Sequence, residues 1–294
     1  MTIPMSLLPL ALLGRLPLCC RRLLGKILGD LARIFVGRQR IAQRNLELAF
    51  PELTPRARRD ILRQHFRLLG ATLLDECALL TMSKERLRQF VTIAQEGELS
   101  QSSSLILVAP HFVGVSVGGV RISATVPEGA SLPRYLFHHR PMHSQFWDIF
   151  YQRLRGRWQA AGVAATQTNA MWLCARHLQK EGCLFYLPDT DPKTRKSTVF
   201  VPFLGVAQTA TTTVIGRLAA LTGSRVALCV ATMTPQGYEV RLEPVEDFLI
   251  ANATANATRI NQLIERHVRA QPAQYYWLHR RFKTHPVGER HRYD

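Results

Sequence analysis

Apolar positions change period along this chain, and the changes outline its organisation. Residues 5–20 read MSLLPLALLGRLPLCC, a leucine-rich stretch interrupted by Pro9, Arg15 and Pro17. Beyond it, Leu23, Leu24, Ile27, Leu28, Leu31 and Phe35 recur three and four residues apart, with Arg21, Arg22, Lys26 and Arg33 between them. That spacing predicts a basic amphipathic helix. Helical spacing continues over 38–50 and 56–80, with Pro51 and Pro55 at the break. After a polar stretch at 96–104 the pattern turns strand-like. The continuous apolar run at 105–109, closed by Pro110, reads as a buried strand. Further strands are expected at 134–137, 183–187, 199–202, 225–231 and 238–242. Helices are expected at 113–124, 144–155, 170–179, 211–221 and 255–269. Strands alternating with helices predict an α/β fold, with a mixed, mostly parallel sheet flanked by helices behind an N-terminal helical region. No Gly/Ser linker or charge block splits the chain, so 1–37 is expected as a membrane-associating segment and 38–294 as one α/β domain.

Composition narrows the function classes. The 294 residues carry 38 Lys+Arg against 21 Asp+Glu, a formal net charge of +17, which favours acidic partners. A hydrophobic share of 47% excludes a disordered chain. A mean hydropathy of -0.04, with no unbroken apolar run of about 20 residues, excludes a many-span membrane protein. The basic flank of the N-terminal helix favours an anchor on an anionic membrane over a core helix, and leaves open whether it spans or lies flat. A signal peptide fits poorly, because no basic region precedes the apolar run. Cys19, Cys20, Cys77, Cys174, Cys183 and Cys229 form no CxxC pair, which argues against zinc or disulfide frameworks and for a reducing compartment. The two N-x-T matches in 251–258 therefore mean nothing. No helix-turn-helix, RNP-like or zinc signature appears, so no nucleic-acid partner is expected.

The chemistry concentrates after the strand at 105–109. His111 follows the strand and precedes a predicted helix, at the carboxyl end where α/β sheets bind ligands, and a histidine there suits general-base work near neutral pH. Gly114-Val-Ser116-Val-Gly118 also spells G-x-S-x-G, the hydrolase nucleophile elbow. The elbow needs its serine on the tight turn directly after a strand. Ser116 comes too late for that and falls inside the predicted helix.

The segments around and beyond this site resemble one family. Ala-Pro-His111-Phe-Val-Gly, Phe185-Tyr-Leu-Pro-Asp-Thr-Asp191, Ser197-Thr-Val-Phe-Val-Pro-Phe203, Gln208-Thr-Ala-Thr-Thr-Thr213, Arg44-Asn-Leu-Glu-Leu-Ala-Phe-Pro51 and Gln274-Tyr-Tyr-Trp-Leu-His-Arg-Arg-Phe-Lys-Thr284 are similar, in order, to motifs of the lipid A biosynthesis (lauroyl/myristoyl-type) acyltransferases. The stretch at 208–213 resembles a helix start in that family. The resemblance implies a glycerol-phosphate-acyltransferase-like fold and transfer of a fatty acyl group from acyl carrier protein to a hydroxyl of a lipid A precursor. It also implies work on the cytoplasmic face of the inner membrane, with no cofactor and no metal. His111 would be the general base. Arg155, Arg157 and Arg140 would bind substrate, and Asp189 would assist at a second strand end. Arg280, Arg281 and Lys283 beside Tyr275, Tyr276 and Trp277 form an aromatic-basic cluster, with Trp277 expected in the core.

One position departs from the pattern. The family carries an acid five residues after the histidine, and this chain has Ser116 there. A hydroxyl is a weaker partner for an imidazolium than a carboxylate. The departure fits a substitution that traps a bound state, a non-catalytic acyl-lipid binding protein, or a carboxylate supplied from elsewhere, with Asp189 the first candidate.

Overall fold

The strand-forming runs assemble as expected, and their order places the candidate residues. The computed structural model describes residues 3–293, apart from 36, 96–103, 126–133, 140–143, 159–160, 165–168, 193–194, 247 and 249–251. Its strands are β1 (Val91–Ala94), β2 (Leu105–Val108), β3 (Tyr135–His139), β4 (Ala161–Ala164), β5 (Cys183–Tyr186), β6 (Thr198–Phe203), β7 (Val206–Thr212), β8 (Arg225–Thr234) and β9 (Gly237–Pro244). Seven form one sheet in the order β1-β9-β8-β2-β5-β3-β4. The five from β8 to β4 run parallel, and the β8–β9 hairpin turns the remaining pair the other way. β2 and β5 sit at the centre and are buried along their whole length, as an apolar run covered on both faces requires. β6 and β7 form a separate antiparallel hairpin.

The helices are α1 (Leu8–Leu13), α2 (Leu18–Phe35), α3 (Gln39–Ala49), α4 (Pro55–Leu79), α5 (Lys84–Phe90), α6 (Val115–Ser123), α7 (Gln145–Gly156), α8 (Ala170–Leu178), α9 (Val214–Thr222) and α10 (Ala253–Ala270). They cover the sheet over two apolar clusters. One is centred on Ile106, Leu184, Leu228 and Trp277, the other on Leu105, Leu107, Phe185 and Val240. Thr54 caps α4 by accepting from the Ala57 N–H at 3.2 Å, with Pro55 at the first helical position.

The N-terminal helix is amphipathic in an inverted sense. Its buried positions are Arg21, Gly25 and Gly29, while Leu23, Ile27, Leu31, Ile34 and Phe35 are exposed. The glycines admit the backbone of α4: a Cβ at Gly25 would lie 2.4 Å from the Ala71 Cα, and one at Gly29 would lie 2.2 Å from the Phe66 oxygen. Asp75 of α4 is fully buried and bridges Arg21 at 3.0 Å and Arg22 at 2.8 Å. The helix thus docks on α4 through its glycines and arginines and leaves most of its large apolar side chains outward. Among the described residues, no helix is long and apolar enough to cross a membrane.

Three strands escape the sequence reading: β1, β4 and β7. β1 and β4 have four residues each, too few to establish a period. The stretch 208–213 is strand β7 instead of a helix start, and α9 begins at Val214. Its threonines are β-branched and pair with β6, with Thr211 opposite Val199. The polar stretch at 96–104 lies outside the described residues except for Ser104.

Candidate active site

Parallel pairing of β2 and β5 dictates the central contact. Val108 pairs with Tyr186, and each strand continues for three residues to His111 and Asp189. The two side chains therefore meet at the carboxyl edge of the sheet. The His111 Nδ1 lies 2.6 Å from Asp189 Oδ1, and the His111 backbone N–H donates to Oδ2 at 2.8 Å. A carboxylate only accepts, so Nδ1 carries the proton and the lone pair of the neutral ring sits on Nε2. Nε2 has no partner among the described residues. The His111 side chain is 22% exposed, and that of Asp189 only 1%.

The C-terminal segment completes the pair. The Tyr276 N–H donates to the His111 carbonyl at 2.7 Å, the Val113 N–H donates to the Gln274 carbonyl at 2.8 Å, and Phe112 bridges to Tyr275. The Tyr275 hydroxyl stands near the Asp189 carboxylate, whose charge adds to burial in pushing the phenol up. Burial alone would push the Asp189 pKa up. The charge and hydrogen bonds of His111, with the guanidinium of Arg281 nearby, outweigh that cost and hold it below the usual carboxylate value. Asp191 accepts from the Thr284 N–H at 2.8 Å and its hydroxyl at 2.9 Å, tying the same segment to the turn after β5. His279 stands edge-on to His111 at 5.0 Å between ring centroids.

Ser116 is the second residue of α6, and its hydroxyl lies close enough to Glu76 of α4 to favour the charged carboxylate. Glu76 accepts from the Tyr151 hydroxyl at 3.0 Å. Burial pushes the Glu76 carboxyl up to about 7 against these two hydroxyls, and Asp75 adds to the rise.

The arginines separate. Arg155 stands one turn beyond Tyr151 on α7, near Asp148. Arg157 donates to the carbonyls of Leu79 and Met82 at the end of α4 and lies over the Trp158 ring at 5.0 Å. Arg140 lies outside the described residues. The aromatic-basic cluster divides. Tyr275, Trp277 and Arg281 are buried, and Arg281 donates to the Ala210 carbonyl at 2.6 Å, while Arg280 and Lys283 are exposed. Trp277, expected in the core, is there at 1% exposure. A cleft of about 340 Å³ lies at the α2–α3 junction, lined by Ile34, Gly37, Gln39, Arg40 and Gln43.

Sequence reasoning missed Glu76, Tyr151 and the direct role of Tyr275. Glu76 sits in a helix 35 positions upstream of His111, where no local spacing signals a shared site. Tyr275 was visible only as part of a similar segment and of the aromatic-basic cluster.

An imidazole oriented by a buried carboxylate, at the mouth of a parallel sheet, is an arrangement able to take a proton from a hydroxyl. The chain matches the bacterial lipid A biosynthesis acyltransferase family over residues 4–284. It is 29% identical over 282 residues to the lipid A biosynthesis palmitoleoyltransferase of Escherichia coli (strain K12), covering 93% of this chain and 87% of that protein. It is 30% identical over 278 residues to the lauroyltransferase of the same organism, covering 92% and 87%. A lipid A biosynthesis acyltransferase of Haemophilus influenzae is 30% identical over 259 residues, covering 85% and 80%. The protein belongs to this family and is an acyltransferase.

Proposed function

We propose that the protein transfers a fatty acyl chain from an acyl carrier protein thioester to a hydroxyl of a lipid A precursor, with His111 as general base and Asp189 as its carboxylate partner. The observation that carries this reading is the His111–Asp189 pair with Nε2 left available on a partly exposed ring. As the lipid hydroxyl oxygen attacks the thioester carbonyl, Nε2 takes its proton. A C–O bond forms and the C–S bond breaks. The imidazolium then passes its proton to the departing thiolate, so an ester and a free thiol leave. Asp189 keeps the ring in the useful tautomer and stabilises its transient positive charge.

The other site residues take supporting parts. Arg155 and Arg140 are proposed to contact phosphates of the lipid or of the thioester arm, where a guanidinium gives bidentate recognition. Arg157 spends its donors on α4 carbonyls and supports that corner of the site instead. The serine-hydrolase alternative fares worse: Ser116 lies inside α6 near Glu76, and His111 turns its Nδ1 to Asp189. A fluorophosphonate probe should therefore leave Ser116 unlabelled.

The exposed face of Leu23, Ile27, Leu31 and Ile34, with Lys26 and Arg33 on the same helix, is proposed to lie on the anionic cytoplasmic face of the inner membrane, where the lipid substrate resides. The +17 charge suits both an acidic carrier protein and a phosphorylated lipid.

The test is mass spectrometry of a lipid A precursor after incubation with the protein and acyl carrier protein thioesters. A mass gain of one ester-linked acyl chain is expected. An unchanged lipid would contradict the reading.

A further inference from the structure

Among the described residues the buried acids are Asp75, Glu76 and Asp189. Asp75 is neutralised by Arg21 and Arg22, and Asp189 is held by His111. Glu76, 4% exposed, has no cation among the described residues. Its neighbours are two hydroxyls: that of Tyr151 donates at 3.0 Å, and that of Ser116 stands close enough to favour the charged carboxylate.

Geometry ties this cluster to the site. Gly118 presses α6 onto the sheet, since a Cβ there would lie 2.6 Å from the Ala231 Cβ. Ser116, two residues earlier, is turned about 200° away and faces α4. Ser116 and Tyr151 are both half-buried, so their hydroxyls stand between Glu76 and the surface. Tyr151 is close enough to Tyr276 to feel it electrostatically, and the Tyr276 ring lies 6.4 Å from that of His111. The groups facing Glu76 are Asp75 and Cys77 of its own helix, Ser116 of α6, and Tyr151 of α7 with Arg155 beyond it.

We propose that Glu76 is a positioning residue for acyl transfer, supplying from α4 the carboxyl that position 116 lacks, so that hydroxyl and carboxyl have exchanged places across the α4–α6 contact. When Glu76 is ionised, both hydroxyls donate to it. Their oxygen lone pairs are then left to accept from an incoming donor, either the lipid hydroxyl or an amide N–H of the thioester arm. A protonated Glu76 would claim one of those lone pairs. This inference rests on the acyl-transfer reading above.

The test compares wild type with Glu76→Gln, Glu76→Ser, Ser116→Glu and the exchange variant Glu76→Ser/Ser116→Glu in the acyl-transfer assay from pH 5 to 9. Thermal melts check that each variant folds. Glu76→Gln should lower kcat at least tenfold with KM changed less than threefold, and should remove the rise of kcat through about pH 7. Ser116→Glu alone should also lower kcat, because two carboxyls would then share one buried contact. The exchange variant should recover to within threefold of wild type. Should Glu76→Gln fail to fold, Tyr151→Phe and Ser116→Ala carry the test, each with a two- to tenfold loss of kcat. An unchanged kcat and pH profile in Glu76→Gln (or in both of those substitutes), or an exchange variant no better than its single parents, would overturn the proposal alone. A wild type that transfers no acyl group would overturn it together with the reading of the site.

Discussion

Asp189 shows at the scale of one residue how burial and function are reconciled. A carboxylate out of water is costly. Here the cost is offset by the ring and backbone N–H of His111 and the charge of Arg281, which together hold its pKa below the usual carboxylate value. Asn at 189 can still accept from the backbone N–H, so the fold should survive while the ring loses its tautomer control. Asp189→Asn is expected to lower kcat by on the order of 10³- to 10⁴-fold, measured by acyl-transfer kinetics, with an unchanged melting temperature. Glu76 behaves oppositely, because its carboxyl is raised from 4.5 to about 7 in the folded state. A raised pKa means that the folded chain holds this proton more tightly. The resulting stability is fully present below about 4.5 and is lost as the pH rises through 7. Between pH 5 and 8 the group should cost about 2–3 kcal/mol. Denaturant titrations at the two pH values should show a smaller drop for Glu76→Gln than for wild type. Of these two acids only Asp189 was legible in the sequence, because it follows a strand end. Glu76 reads there as one more residue of an amphipathic helix, and only the α4–α6 contact reveals its partners.

The elements carry a second kind of information. The central strands and most of the helices follow from period and punctuation, and their boundaries move by only a few residues in the structure. The missed elements share a physical cause. β1 and β4 are too short to show alternation, and β7 is a threonine run whose pairing partner, not its own pattern, decides its state. α2 is the most instructive case. Its period predicted a helix correctly, but the period does not say which face docks. The close approach of backbones at Gly25, Gly29 and Gly70 settles that. Gly29→Val should therefore push α2 off α4, lowering stability by about 1–3 kcal/mol in equilibrium unfolding, with Arg21 and Arg22 partly released from Asp75.

At the scale of the whole molecule, the sheet holds the His111–Asp189 pair at one edge while docked helix α2 turns most of its leucines outward. Under the proposed function, that arrangement suits an enzyme that meets a lipid at a surface and a carrier protein from solution. Replacing Leu23, Ile27, Leu31 and Ile34 together by Gln should abolish co-sedimentation with anionic phospholipid vesicles and leave the melting temperature within about 2 °C, since these side chains contribute little burial. The most direct test of the central claim is the rate of acyl transfer from acyl carrier protein thioester to a lipid A precursor by the folded His111→Ala variant. The account predicts a loss of at least about a thousandfold relative to wild type. Transfer by His111→Ala within threefold of the wild-type rate would contradict it.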